Sequence, residues 1–174
     1  MKVSLDISVA SRLWRDLPRA RAIAGETIAA AVEESGAAFG EGAEASLCLA
    51  DDAALQALNA RWRGIDKPTN VLSFPAAVDA VADRVPSAPP GRPQQARRHL
   101  GDIALAYETL AREAADLGVP LADHYRHLVA HGFLHLIGYD HETDAEAERM
   151  EALETRILKR LGAADPYARA VVGG

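Results

Sequence analysis

Leu100-Gly101-Asp102-Ile103-Ala104-Leu105-Ala106-Tyr107 has strand character, and the chain after it changes period at once. Glu108 to about Leu117 reads as a helix closed by Gly118 and Pro120, and Leu121 to Ile137 as a longer helix ended by Gly138. Upstream, Lys2 to Ser8 alternates apolar and polar residues like a half-buried strand. Pro18 to Glu34 is an alanine-rich helix, with Ile23, Ile28, Ala31 and Val32 at near-helical spacing, that ends toward Gly36. Ser46 to Ala50 reads as a strand. Asp51 then caps a helix from Asp52 to about Trp62 that turns Leu55 and Leu58 inward. Asn70 to Phe74 is a short strand stopped by Pro75. Downstream, Thr143 or Asp144 caps a last helix that runs to about Leu161 and ends at Gly162. Interleaved strands and helices of this kind make an α+β fold, a small mixed sheet of about four strands with about five helices packed on it. Residues 1–162 are expected to form one domain and 163–174 a flexible tail.

Residues 76–99 break the pattern. Five of the nine prolines fall between Pro75 and His99, among alanine, glutamine and arginine, with almost no large apolar side chains. Such a composition buries little surface, so a flexible loop is expected at 76–99.

The 174 residues are 49% hydrophobic, enough for a core without disulfides. Cys48, the single cysteine, sits in the apolar run Ser46-Leu47-Cys48-Leu49-Ala50 and reads as a buried, inert thiol suited to a reducing cytosol. The first residues, Met1-Lys2-Val3-Ser4-Leu5-Asp6, lack a signal-like apolar run, and no stretch has membrane-spanning length, so a cytoplasmic location away from membranes is expected. The net charge of −6 argues against a general nucleic-acid coat protein. Yet residues 61–99 carry seven basic side chains against three acidic ones, +4, which leaves −10 for the remainder. A local basic surface of that kind takes a polyanion at one place only, unless it is simply a solvated loop rich in arginine.

The chemistry concentrates in His131-Gly132-Phe133-Leu134-His135-Leu136-Ile137-Gly138-Tyr139-Asp140-His141. His131 and His135, four apart on a helix, share one face. Gly138 accepts the backbone that turns the chain, so that His141 can come back to them. Three neutral imidazoles with an open fourth position describe a catalytic zinc site. His99, His124 and His127 read as packing or surface residues, although His127 is also four residues from His131, so a shifted His127/His131 pair stays open as an alternative. The spacing is also that of zinc metalloproteases, which need a glutamate directly after the first histidine as general base. Here that position is Gly132, which cannot carry a proton.

This histidine segment resembles the signature of the YbeY endoribonuclease family, the bacterial rRNA maturation factors. So do Leu58-Asn59-Ala60-Arg61-Trp62-Arg63-Gly64-Ile65-Asp66-Lys67-Pro68-Thr69-Asn70-Val71-Leu72-Ser73-Phe74-Pro75 and Leu100-Gly101-Asp102-Ile103, in the family's order. The resemblance implies a single α+β domain with one zinc ion on His131, His135 and His141. It implies metal-dependent cleavage of single-stranded RNA, maturation of the small-subunit (16S) rRNA 3′ end and ribosome quality control. The family's important arginine corresponds to Arg63, whose guanidinium can grip a phosphate through two bonds. Expected partners are therefore single-stranded RNA and the ribosome or its small subunit, with no membrane and no DNA.

Proton transfer or orientation of a ligand falls to Asp140, Glu142 or Asp102, and RNA contact to Ser73, Arg97 or Arg98. Two other readings remain: a different zinc hydrolase, which Gly132 opposes, and a ribosome-associated assembly factor whose zinc is mainly structural.

Overall fold

The computed structural model describes residues 3–39, 42–76 and 98–167. Strand β1 (Val3–Val9) is followed by a 3-10 turn (Arg12–Asp16), helix α1 (Ala20–Ser35), β2 (Ala43–Ala50), α2 (Asp52–Arg63), β3 (Val71–Pro75) and β4 (Arg98–Ala106). Helices α3 (Tyr107–Leu117), α4 (Leu121–Leu136) and α5 (Asp144–Arg160) complete it. The four strands lie in the order β1-β2-β4-β3. β1 and β2, and β2 and β4, are parallel, while β3 runs antiparallel on the outer edge of β4. The expected mixed four-stranded sheet with five α-helices is therefore what the described residues form.

Alternation along the strands sorts the two faces. In β2, Ala43, Ala45, Leu47 and Leu49 are buried while Glu44, Ser46 and Cys48 are half-buried on the opposite side. In β4, Ile103 and Leu105 join the main core with Phe133, Leu134, Ile28 and Ile157 from α4, α1 and α5. Leu100 joins them only because a register shift opposite Glu44 and Ala45 leaves it without a partner residue in β2 and breaks the alternation there. Burying a side chain of this size contributes about 1.5–3 kcal/mol, so this face carries most of the stability. The other face is covered near β3 and β4 by α2, where Leu55 packs with Leu72, Ala104 and Ala106. Farther along, toward β1, it is open.

Several local expectations needed adjustment. Cys48 is half-buried on the open face, not sealed in the core, because Leu47 and Leu49 take the inward positions on either side of it. β2 starts at Ala43, three residues before the apolar run. The Arg12–Asp16 turn went unread; it buries Trp14, whose indole N–H donates to the Ala50 carbonyl at 2.7 Å. Of the segment read as a loop, residues 77–97 lie outside the described residues, whereas Arg98 and His99 open β4. The caps match: Asp51 accepts from the Ala54 N–H at 2.9 Å, and Thr143 from the Glu146 N–H at 3.2 Å.

Gly101 and Gly132 bring β3, β4 and α4 into close contact. Gly101 has φ +140°, and a Cβ there would fall 2.4 Å from the Phe74 carbonyl oxygen. A Cβ on Gly132 would meet Ile103 at 3.0 Å and the Ser73 hydroxyl at 3.1 Å. The absence of a side chain at Gly132 lets Ser73 donate to the Gly132 carbonyl at 3.1 Å, which seats α4 beside the edge strand. Gly132→Glu, the change that would complete the protease pattern, is therefore expected to destabilise the fold. Overpacking costs about 1–3 kcal/mol, partly offset by about 0.5–1 kcal/mol of helix propensity. Thermal unfolding should show a lower Tm and a peptidase assay no gain; an unchanged Tm would refute the packing argument.

Candidate metal centre

His131 and His135 lie one turn apart in the last part of α4, and the chain turns at Gly138 with φ +104°. That turn brings the Tyr139 carbonyl back to 2.9 Å from His135 Nδ1. It also carries His141 to the other two: ring centroids are 5.8 Å from His131 and 5.0 Å from His135. One ligand atom from each of the three lies within 4.8 Å of the others, the one such group found among the described residues. The shifted His127/His131 pair is not the converging one: its rings are 6.3 Å apart, against 4.6 Å for His131 and His135, and among the described residues only the latter two share a converging group with a third histidine.

The hydrogen bonds fix the tautomers. His131 Nδ1 lies 2.7 Å from Glu154 Oε1, and His135 Nδ1 faces a carbonyl; both acceptors require the proton on Nδ1. Both Nε2 lone pairs then point into the site, 3.1 Å apart. Lone pairs at that distance repel unless a cation lies between them, and a metal ion suits this donor set. Burial and the neighbouring His131 and His141 push the His135 pKa down, which favours the neutral ligand form.

Glu154 is the residue sequence reasoning missed. It sits on α5, 1% exposed, and its carboxylate accepts from His131 and, at 2.5 Å, from the Tyr167 hydroxyl; His127 Nε2 is 3.5 Å away. Burial alone would raise its pKa. The hydrogen bonds and charges of His127 and His131 outweigh that and hold it at about 2. A signal existed: Met150, Leu153, Ile157 and Leu158 are buried at helical spacing, and Glu154 falls on that stripe. A carboxylate placed there has a partner to hold. Tyr167, assigned to the flexible tail at 163–174, reaches this network; 168–174 lie outside the described residues.

Glu154→Gln should weaken metal affinity by about 10–100-fold, the usual cost of losing an outer partner of a ligating histidine. Competition against a chromophoric chelator measures it; unchanged affinity would mean that Glu154 merely fills space.

The other sequence-derived residues divide by face. A cleft of about 550 Å³ beside the histidines is lined by Arg63, Ser73, Asp140 and Glu142, which reach it from α2, β3 and the turn after α4. Asp140 accepts from the His141 backbone N–H at 2.8 Å and so shapes the turn. Asp102 is not in this cleft. It pairs with Phe74 across β3 and β4, on the face opposite α4, while its neighbour Ile103 pairs with Ser73 on the histidine side. Arg98 is exposed at the start of β4 and outside the cleft lining; Arg97 lies outside the described residues. His124 is buried with Nε2 2.8 Å from Glu113, in keeping with a packing role.

Three imidazoles that converge beneath an open cleft, on an α+β scaffold, define a candidate metal centre open to solvent rather than a closed structural one. The family model described as endoribonuclease YbeY matches residues 13–162. The endoribonuclease YbeY of Bradyrhizobium sp. (strain BTAi1) is 53% identical over 163 residues, 94% of this chain and 91% of that protein. The Methylocella silvestris protein of that name is 47% identical over 96% of this chain and 87% of its own length. That of Rhodopseudomonas palustris (strain BisA53) is 50% identical over 94% and 89%. This chain belongs to the YbeY endoribonuclease family. The overlap with a solved structure is looser: the solution structure of TM1509 from Thermotoga maritima is 19% identical, with a TM-score of 0.48 over 94% of this chain and 97% of that one.

Proposed function

We propose that this chain is a zinc-dependent endoribonuclease that cuts single-stranded RNA. Its place is in the cytoplasm, where it acts on the small ribosomal subunit in maturing the 16S rRNA 3′ end and in ribosome quality control. The observation that carries the reading is the cleft in which His131, His135 and His141 converge beside Arg63, in a chain of this family. No helix among the described residues is long and apolar enough to cross a membrane.

His131, His135 and His141 would hold the ion through ring nitrogens. Zinc bound there supplies a water of near-neutral pKa and polarises a phosphoryl oxygen. The chain's own residues do the rest. Arg63 pairs with the phosphate as negative charge builds on its oxygens. Glu142, on the rim of the cleft, takes up a proton, while Asp140 holds the backbone of the third ligand in place. Glu154 and the Tyr139 carbonyl keep both Nδ1 protons away from the cleft. The packing around Gly132 leaves no room for a protease base, which opposes the peptidase alternative.

The test is an end-labelled single strand and its duplex, each incubated with the enzyme before and after chelation and with zinc added back. Cleavage of the single strand alone, lost on chelation and restored by zinc, is the expected result. Chelator-resistant cleavage, or none even with ribosomal subunits present, would remove the reading.

A further inference from the structure

Trp62 is 63% exposed, the highest value among the large hydrophobic side chains of the described residues. It is not an isolated surface residue. It stands in the last turn of α2, with its ring centroid 6.4 Å from that of Phe74 and the Arg61 guanidinium 5.2 Å above it. Leu58 and Pro75 adjoin it in a second cleft, of about 530 Å³, on the open face of the sheet. The two clefts meet at edge strand β3. Pro75 lines both, and the consecutive residues Trp62 and Arg63 line one each. The alternation of β3 sets this up: Ser73 faces α4 and the histidines, and Phe74 faces the other way.

We propose that Trp62, backed by Phe74 and Arg61, is a stacking platform for one base of a single-stranded RNA whose neighbouring phosphate lies at Arg63. The inference rests on the endoribonuclease reading above and adds a binding site to it. An RNA strand that crosses β3 at Pro75 puts its phosphate among cations and its base on an aromatic face. Arg61, Arg63 and Lys67 are all exposed at this end of α2 and in the loop after it. The second cleft is also lined by the carboxylates of Asp6 and Asp102. Among the described residues no arginine or lysine lines that cleft to offset them, whereas Arg63 stands beside Asp140 and Glu142 in the first, so the phosphate stays at the arginine end and only the base enters. Stacking explains single-strand preference without sequence readout, since a paired base cannot offer its face.

The chain has two tryptophans, and Trp14 is 3% exposed, so quenching by RNA reports on Trp62. Wild type, Trp62→Ala and Trp62→Tyr are titrated into a fluorescein-labelled 2′-O-methyl oligoadenylate and into the same oligomer carrying abasic sugars, with binding read by anisotropy for all three and by quenching for wild type. Cleavage of an unmodified strand is followed in parallel. The expected result is quenching in wild type, binding weakened on the order of tenfold or more in Trp62→Ala, and most of it kept in Trp62→Tyr. The abasic oligomer should bind wild type as weakly as the intact one binds Trp62→Ala. Equal binding of both oligomers, or undiminished binding by Trp62→Ala, overturns the platform while cleavage by wild type leaves the enzyme reading standing. Quenching without cleavage does the reverse. Neither binding nor cleavage removes both.

Discussion

Arg63→Ala is expected to lower kcat on single-stranded RNA by about 100–1,000-fold, the loss typical when one preorganised donor to a developing oxyanion is removed. The geometry explains why the effect falls on turnover. Arg63 ends α2 on the rim of the histidine cleft, and among the described ion pairs it has no carboxylate partner. Its helix end is held: Gly64 caps it with φ +69°, and the Asn59 side-chain amide donates to the Lys67 carbonyl at 3.0 Å. The backbone that carries Arg63 is thus fixed at the cleft rim while no ion pair or hydrogen bond in the described residues engages its guanidinium, which leaves it available to a phosphate. Truncation should leave Tm and metal content unchanged. Arg63→Lys keeps the charge but not the two-bond grip, and should recover only part of the rate. Steady-state kinetics with metal analysis of the same samples decide it. A parallel fall in metal content would place Arg63 in the scaffold of the metal site, and an unchanged kcat would remove it from the reaction.

The parts of this site that sequence made visible are local in the chain. His131 and His135 are one helical turn apart, and Gly138 marks the turn that returns His141, so residue spacing already implies convergence. The strands were legible where alternation was strong. Where the tertiary partner decides, the sequence was silent or misleading. Glu154 touches His131 across 23 positions and Tyr167 arrives from beyond the last helix, so no spacing rule connects them. Asp102 looked well placed after Gly101 at a strand start, yet strand parity puts it on the face away from α4. Parity counted back from Ile103 excludes it, but counted on from Leu100 it does not, because a register shift between them resets the alternation and only the pairing with β2 reveals it. Gly132 marked what the site lacks; only the packing of α4 on Ser73 and Ile103 shows what the glycine is there to permit.

His135→Ala should remove metal binding and RNA cleavage together while the protein stays folded. His135 is central to the group, with its Nε2 3.1 Å from that of His131 and its ring centroid 5.0 Å from that of His141. Two ligands remain, one of them the exposed His141, so affinity should fall by more than the roughly 10–100-fold that an outer partner costs. Folding is a separate matter, because the core beneath closes without the site. Phe133, Leu134 and Ile103 are at most 1% exposed and pack with α1 and α5, whereas all three histidines sit at or above the core's edge. A zinc that was mainly structural would carry folding energy, and its loss would melt the domain. Circular dichroism and Tm on apo wild type and on His135→Ala, beside cleavage of the end-labelled strand, therefore separate the two roles. Folded but inactive protein supports catalysis at the metal. Unfolding in both samples would move the chain to the assembly-factor reading, and full cleavage by His135→Ala would mean that the reaction does not use this centre.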